Sequence, residues 1–293
     1  MYTFVCYGEV LWDVFPDHEK IGGAPLNVAL RLNSFGDKVA MVSAVGNDNL
    51  GNQLISYLKE NKLTSEFVQI NNEYQTGKVN VTLDAKGSAS YEIKFPVSWD
   101  FIKLNEEIIN LVKTSKVFIY GSLICRNAVS KLTLYKLIDH ANFKVFDVNL
   151  RAPFYSFELL GELMSKANFV KFNDEELELI AKNFNSKFIT IEENVSFIAK
   201  KFDLSHVCVT RGGDGALLWI EGKIYYNSGY PVKVKDTVGA GDSFLASLVY
   251  KLTHDSHPQD AINFACAVGA LVAGSEGANP KIKDSDIVEM MKK

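Results

Sequence analysis

Residues 236–244 read DTVGAGDSF. Three small residues, Gly239, Ala240 and Gly241, run directly into the carboxylate of Asp242, and an apolar, helix-patterned stretch follows. Two kinds of chemistry fit this arrangement. Asp is a favoured N-cap residue, which would make the small residues a tight turn in front of a capped helix. Alternatively, backbone N–H groups at a helix N-terminus hold an anion while the carboxylate moves a proton. Taken by itself, the stretch leaves both open.

Four other stretches place small or polar residues where a strand pattern gives way to a loop or helix. GEVLWD, residues 8–13, carries Glu9 and Asp13. GGAPLN, residues 22–27, sets Gly22 and Gly23 before a helix with Asn27 in its first turn. DVNLR, residues 147–151, alternates Asp147, Asn149 and Arg151 off an apolar strand, which would turn all three the same way and makes Arg151 a candidate substrate contact. TRGGDG, residues 210–215, ends a further strand in a glycine turn. In open α/β sheets, ligands bind outside the carboxyl ends of the strands. Each stretch alone reads as a turn; the shared placement is what favours a site. Two familiar phosphate loops are missing, for there is no GxxxxGK[ST] and no GxGxxG after the first strand.

The elements that must position these residues alternate. KVAMVSAV, KVFIYGSL, FKVFDVNL, NFVKFN and HVCVT read as strands, rich in Val, Phe and Ile. PLNVALRLNSFG, GNQLISYLKENKL, VSKLTLYKLIDHAN and NVSFIAKKFD read as helices between them. Pro25 opens the first and Gly36 closes it. This rhythm predicts an α/β fold with a doubly wound, mostly parallel sheet flanked by helices. QTGKVNVTLDAKGSASYEIKF, residues 75–95, breaks it with two strands around a turn at DAKGS. Together with VLWDVFPDHEKIGG it predicts either a small β flap over the sheet edge or an ordinary surface hairpin.

Composition excludes several other classes. At 293 residues the chain has room for one large α/β domain. A formal charge of −4, without clustered Lys and Arg, argues against nucleic-acid binding. FACAVGALVAG, the longest apolar stretch, is too short to span a bilayer, and the N-terminus reads as a strand rather than a signal peptide. A cytoplasmic protein without a membrane or nucleic-acid partner is expected. Cys6, Cys125, Cys208 and Cys266 are scattered without a CxxC pair, the pattern of reduced structural thiols.

With these stretches in place, the chain resembles the ribokinase-type (PfkB) sugar kinases over residues 3–281. GGAPLNVALRLNSFGDKVAMVSAVG fits the first motif of that family, and DTVGAGDSFLAS fits the second, with Ser247 where Gly or Ala is usual. NDEE and VTRGGDGA lie between them in family order. The resemblance implies one ribokinase-like kinase domain over 1–293, with a β lid from about 10–21 and 75–97. It implies that Asp242 is the general base toward a sugar hydroxyl, with Gly239, Ala240 and Gly241 as an anion hole. Asp13, Gly23 and Asn27 then correspond to sugar ligands, Asn173 and Glu176 to the Mg2+–phosphate region, and Thr210, Gly212 and Gly215 to the nucleotide turn. Glu176 would act on Mg2+ indirectly, and Asp236, with the Gly277 region, would form a monovalent-cation (K+) loop. Partners would be ATP, a small sugar and a second copy of the chain, joined through the lid.

The sugar is read from finer detail. YGSLICRN lacks the acid that ribose-specific relatives carry after this strand, and the lid segment YEIKFPVSWD has Tyr91 and Lys94 but no Arg for a sugar-acid carboxylate. Fructose, phosphorylated to fructose 6-phosphate, is the first expectation. Ribose, 2-keto-3-deoxygluconate or non-catalytic binding are the alternatives. Arg126 is expected in a surface salt bridge.

Overall fold

Aromatic and β-branched side chains suit a pleated, buried surface, and the first such run, Phe4–Tyr7, is strand β1, buried at every residue. The computed structural model describes residues 1–83 and 89–293 and separates into two compact units, Met1–Asn142 and Phe143–Lys293. The first unit continues through β2 (Leu11–Val14), β3 (Glu19–Gly22), α1 (Ala24–Ser34), β4 (Val39–Gly46), α2 (Asn49–Glu60), β5 (Val68–Asn71), β6 (Gly77–Leu83), β7 (Ala89–Ile93), α3 (Glu106–Thr114), β8 (Val117–Gly121) and α4 (Ala128–Ile138). Its main sheet has the order β8–β1–β4–β5 and is parallel throughout. Every residue of β4 is buried, as expected of a strand covered on both faces.

The two β pieces that broke the rhythm belong together. β2 pairs antiparallel with β3 and parallel with β6, and β6 pairs antiparallel with β7, giving a separate four-stranded sheet. The observed strands lie within a residue or two of the expected spans. The turn expected at DAKGS, residues 84–88, lies outside the described residues.

Arg126 corrects an expectation. It does form a salt bridge, but a buried one: its side chain is 1% exposed and that of Asp100 is 0%. Nε donates to Asp100 Oδ1 at 2.7 Å, and Nη2 donates to Asp100 Oδ2 at 2.9 Å and to the Lys94 carbonyl at 2.7 Å. The guanidinium also lies 3.8 Å from the Trp99 ring centroid. This planar fork fastens the segment after β7 to the 3-10 turn after β8, a job that Lys cannot do. Arg126→Met should cost about 3–5 kcal/mol, because it strands a buried carboxylate. Neutralising both partners in R126M/D100N should recover much of that loss in urea unfolding.

The second unit runs through β9 (Phe143–Asp147), α5 (Phe157–Lys166), β10 (Phe169–Asn173), α6 (Asp174–Asn183), α7 (Ile191–Lys201), β11 (His206–Thr210), β12 (Ala216–Ile220), β13 (Lys223–Asn227), α8 (Ala240–Thr253), α9 (Pro258–Ala273) and α10 (Asp284–Met290). β9, β10 and β11 are parallel, and β12 and β13 close this edge antiparallel. α7 starts earlier than its apolar pattern, at a Thr190–Glu193 capping box. The four cysteines are buried and in no disulfide, and burial pushes the Cys266 thiol up to about 12. Among the described residues, no helix is long and apolar enough to cross a membrane.

Candidate active site

In the first unit, the hairpin β2–β3 and the start of α1 gather three of the expected sugar ligands. Gly23 is the N-cap of α1 with φ +114°, a backbone that favours glycine. A Cβ there would meet the Glu9 carbonyl oxygen at 2.5 Å. Asp13 lies over the neighbouring glycine, since a Cβ on Gly22 would sit 2.5 Å from Asp13 Oδ2. Asn27 is buried in the first turn, and its N–H donates to the Gly23 carbonyl at 2.9 Å. Asp13, Gly23 and Asn27 therefore share one patch.

In the second unit, α8 removes the reading of Asp242 as its cap. The N-cap is Gly239, with φ +74°, and no side chain caps the helix. Asp242 is the third helical residue, not the cap. It is half-buried, beside an exposed Gly241. The Ala240 N–H donates to the Thr237 carbonyl at 3.2 Å. Nothing from the rest of the described chain comes closer than 3.8 Å to a Cβ built on Gly241, and the atom at that distance is Lys171 Nζ. Negative charge is favoured near the positive end of a helix. Ser247 is accommodated: it is fully buried, and its Oγ donates to the Ser243 carbonyl at 2.7 Å.

Lys171 was not among the expected residues. It stands on β10 in parallel register with Asp147 of β9, and its Nζ donates to Asp147 Oδ1 at 2.9 Å, both side chains being over nine-tenths buried. The signal in the sequence was a lysine inside the apolar strand FVKFN. At the end of the same strand, Asn173 caps α6, accepting from the Glu176 N–H at 2.7 Å. Glu176 is buried, with Oε2 accepting from the Asn173 N–H at 2.9 Å and Oε1 from the Leu150 N–H at 2.8 Å. Both its oxygens are thus engaged by backbone. That fits an indirect, water-mediated role toward Mg2+, which keeps several waters and is largely held by substrate phosphates.

Thr210 pairs in register with Asn173 across β10 and β11, so both sit at carboxyl ends of parallel strands. The glycine turn follows, with Gly212 at φ +53° and Gly215 at φ +80°. A Cβ on Gly212 would meet nothing within 4 Å, whereas one on Gly215 would collide with the backbone of Asn227 and Gly229. Gly212 faces open space and Gly215 is needed for packing. Asp236 ties its loop together, accepting from the Val238 N–H at 3.0 Å and the Gly277 N–H at 3.1 Å. The two parts of the expected cation loop are therefore in contact. The shared direction expected of Asp147, Asn149 and Arg151 is not found. β9 stops at Asp147, Asn149 turns left-handed at φ +38°, and Arg151 is exposed, donating to the Leu150 carbonyl.

A mostly parallel sheet flanked by helices, with a smaller sheet, is the ribokinase-like fold. Residues 2–285 match the pfkB family of carbohydrate kinases, and the chain belongs to that family. A fructokinase from Solanum tuberosum is 30% identical, covering 98% of this chain and 95% of its own length. A double-mutant fructokinase from Vibrio cholerae O395, solved with fructose, ADP and a potassium ion, is 25% identical with a TM-score of 0.85, over 99% of this chain and 98% of its own. An ATP-bound fructokinase from Xylella fastidiosa has a TM-score of 0.88 over 99% of this chain and 98% of its own; its 21% identity speaks for the fold.

Proposed function

We propose that this chain transfers the γ-phosphoryl group of ATP to a hydroxyl of a neutral hexose, fructose in the first place, yielding fructose 6-phosphate. The observation that carries the transfer chemistry is Asp242 in the first turn of α8, next to a glycine whose exposed face is open. The carboxylate accepts the proton of the attacking hydroxyl, and the helix N-terminus favours the phosphoryl charge. Mg2+, when bound, would neutralise phosphate charge, and Glu176 would act on it indirectly. Asp13, Gly23 and Asn27 orient the sugar, and Thr210, Gly212 and Gly215 take the nucleotide. The Asp236–Gly277 loop is the place for a monovalent cation, in keeping with the potassium ion in the Vibrio cholerae relative. In this reading the two units act as a single kinase domain, which the family match over 2–285 supports. Closure of the small sheet over the sugar, and pairing of two chains through it, rest on the resemblance.

The choice of a neutral sugar has its own support in the first unit. Lys94 Nζ is 2.8 Å from Glu92 Oε1, and Arg126 is committed to Asp100. Lys94 and Arg126 are thus each engaged by a carboxylate of the chain, and neither is poised for a substrate carboxylate, which is best held by a bidentate Arg. The named relatives are fructokinases. A coupled ADP-release assay over a sugar panel should give fructose a kcat/KM at least about tenfold above ribose and 2-keto-3-deoxygluconate, the factor given by 1.4 kcal/mol. A sugar acid as best substrate would overturn the assignment.

A further inference from the structure

On β10 a charged residue stands where an apolar one would pack. Lys171 is 6% exposed. Replacing a buried ion pair by well-packed apolar residues is often neutral or stabilising, so stability does not account for the Lys171–Asp147 pair. An ammonium has three donors, and among the described residues Lys171 Nζ makes one hydrogen bond, to Asp147 Oδ1. Its Nζ lies 3.8 Å from where a Cβ on Gly241 would be, at the open face of the first turn of α8. Burial works against the ammonium, yet the carboxylates of Asp147, Glu176 and Asp242 outweigh it and hold its pKa above the usual lysine value. Three carboxylates would repel an incoming phosphate unless the site also held fixed positive charge. The sequence has no Walker loop to supply that charge.

We propose that Lys171 is a further catalytic residue: its ammonium, held in place by Asp147, contacts the phosphoryl group in transfer and stabilises the charge spreading over its oxygens. The inference rests on the phosphotransferase reading above. In that step the sugar oxygen bonds to the γ-phosphorus while the bond from phosphorus to the β–γ bridging oxygen breaks. The hydroxyl proton goes to Asp242, and the bridging oxygen leaves on ADP with the bonding pair. Lys171 stays protonated throughout and acts through charge. Asp147 is a positioning residue.

Lys171→Met, and the double variant D147N/K171M, separate this role from a structural one. The single variant leaves Asp147 buried without its cation and is expected to melt at a lower temperature. The double variant removes both charges and should regain most of the melting temperature. Its kcat should nevertheless stay about 10²-fold or more below that of the parent, the range for losing one preorganised contact to a developing charge, with KM for the sugar little changed. Tightening of ADP binding by aluminium fluoride, a mimic of the transferring phosphoryl, should be lost while binding of ADP alone persists. If the single variant fails to fold, the double variant decides. A double variant with parental kcat would overturn the assignment of Lys171. A parent protein that turns over no sugar would instead overturn the phosphotransferase reading beneath it.

Discussion

Asp242→Asn is expected to lower kcat by about 10²–10⁴-fold, the usual cost of losing a general base, with KM values and melting temperature close to those of the parent. Asn keeps the size of the side chain and removes the charge that accepts the proton. The structure makes the comparison clean, because Gly239 is the N-cap and Asp242 is the third residue of α8. Losing a carboxylate from a first helical turn costs only about 0.3–1 kcal/mol. Asp236→Asn, six residues upstream, is the control. Its carboxylate takes the Val238 and Gly277 N–H groups, one on each oxygen, and Asn has one acceptor oxygen to offer in place of two. The loss there should fall on the loop and on melting temperature more than on turnover. Steady-state kinetics and thermal unfolding of both variants separate the two roles. An Asp242→Asn protein with nearly full kcat would sink the mechanism.

How far these residues were legible depends on how local their signals are. β4 and β1 could be read because a strand buried on both faces is a continuous apolar run, and that is how VAMVSAVG and FVCY stand. The glycine-led motifs could be read because turn, cap and acid are neighbours in the chain. The Lys171–Asp147 pair could not. Its members are 24 residues apart, and only the parallel register of β9 and β10 sets them side by side. The Arg126–Asp100 pair was misjudged for the same reason, since a lone Arg shows no partner until two 3-10 turns pack together. Arg151 was misplaced by a local detail: strand alternation was extended two residues beyond Asp147, across an Asn that turns left-handed. Short-range chemistry was visible, and charge pairs made by sheet register were not.

The two glycines beside Asp242 should behave oppositely when each is changed to Ala. At Gly241 the added methyl meets only Lys171 Nζ, at 3.8 Å, among atoms of the rest of the described chain, which is ordinary contact. The backbone there is helical, so Ala should raise stability by up to about 1 kcal/mol through its better helix propensity. The methyl would nevertheless stand in the space between the helix N-terminus and Lys171, where the transferring phosphoryl is placed by the proposed function. The expected loss in kcat is about 10²–10³-fold, comparable to removing a preorganised donor from an oxyanion hole. At Gly239 the order reverses. Its φ is +74°, and a Cβ would come within 2.6 Å of Ala278 Cβ and 2.7 Å of its Cα. Left-handed backbone costs a non-glycine residue roughly 1–2 kcal/mol, and overpacking adds about 1–3 kcal/mol. Gly239→Ala should therefore melt well below the parent, with activity falling as the folded fraction falls. Thermal midpoints and kcat measured side by side test both halves. A Gly241→Ala protein that is stable and fully active would mean that no phosphate approaches α8 at this glycine, and the anion hole would have to be sought elsewhere.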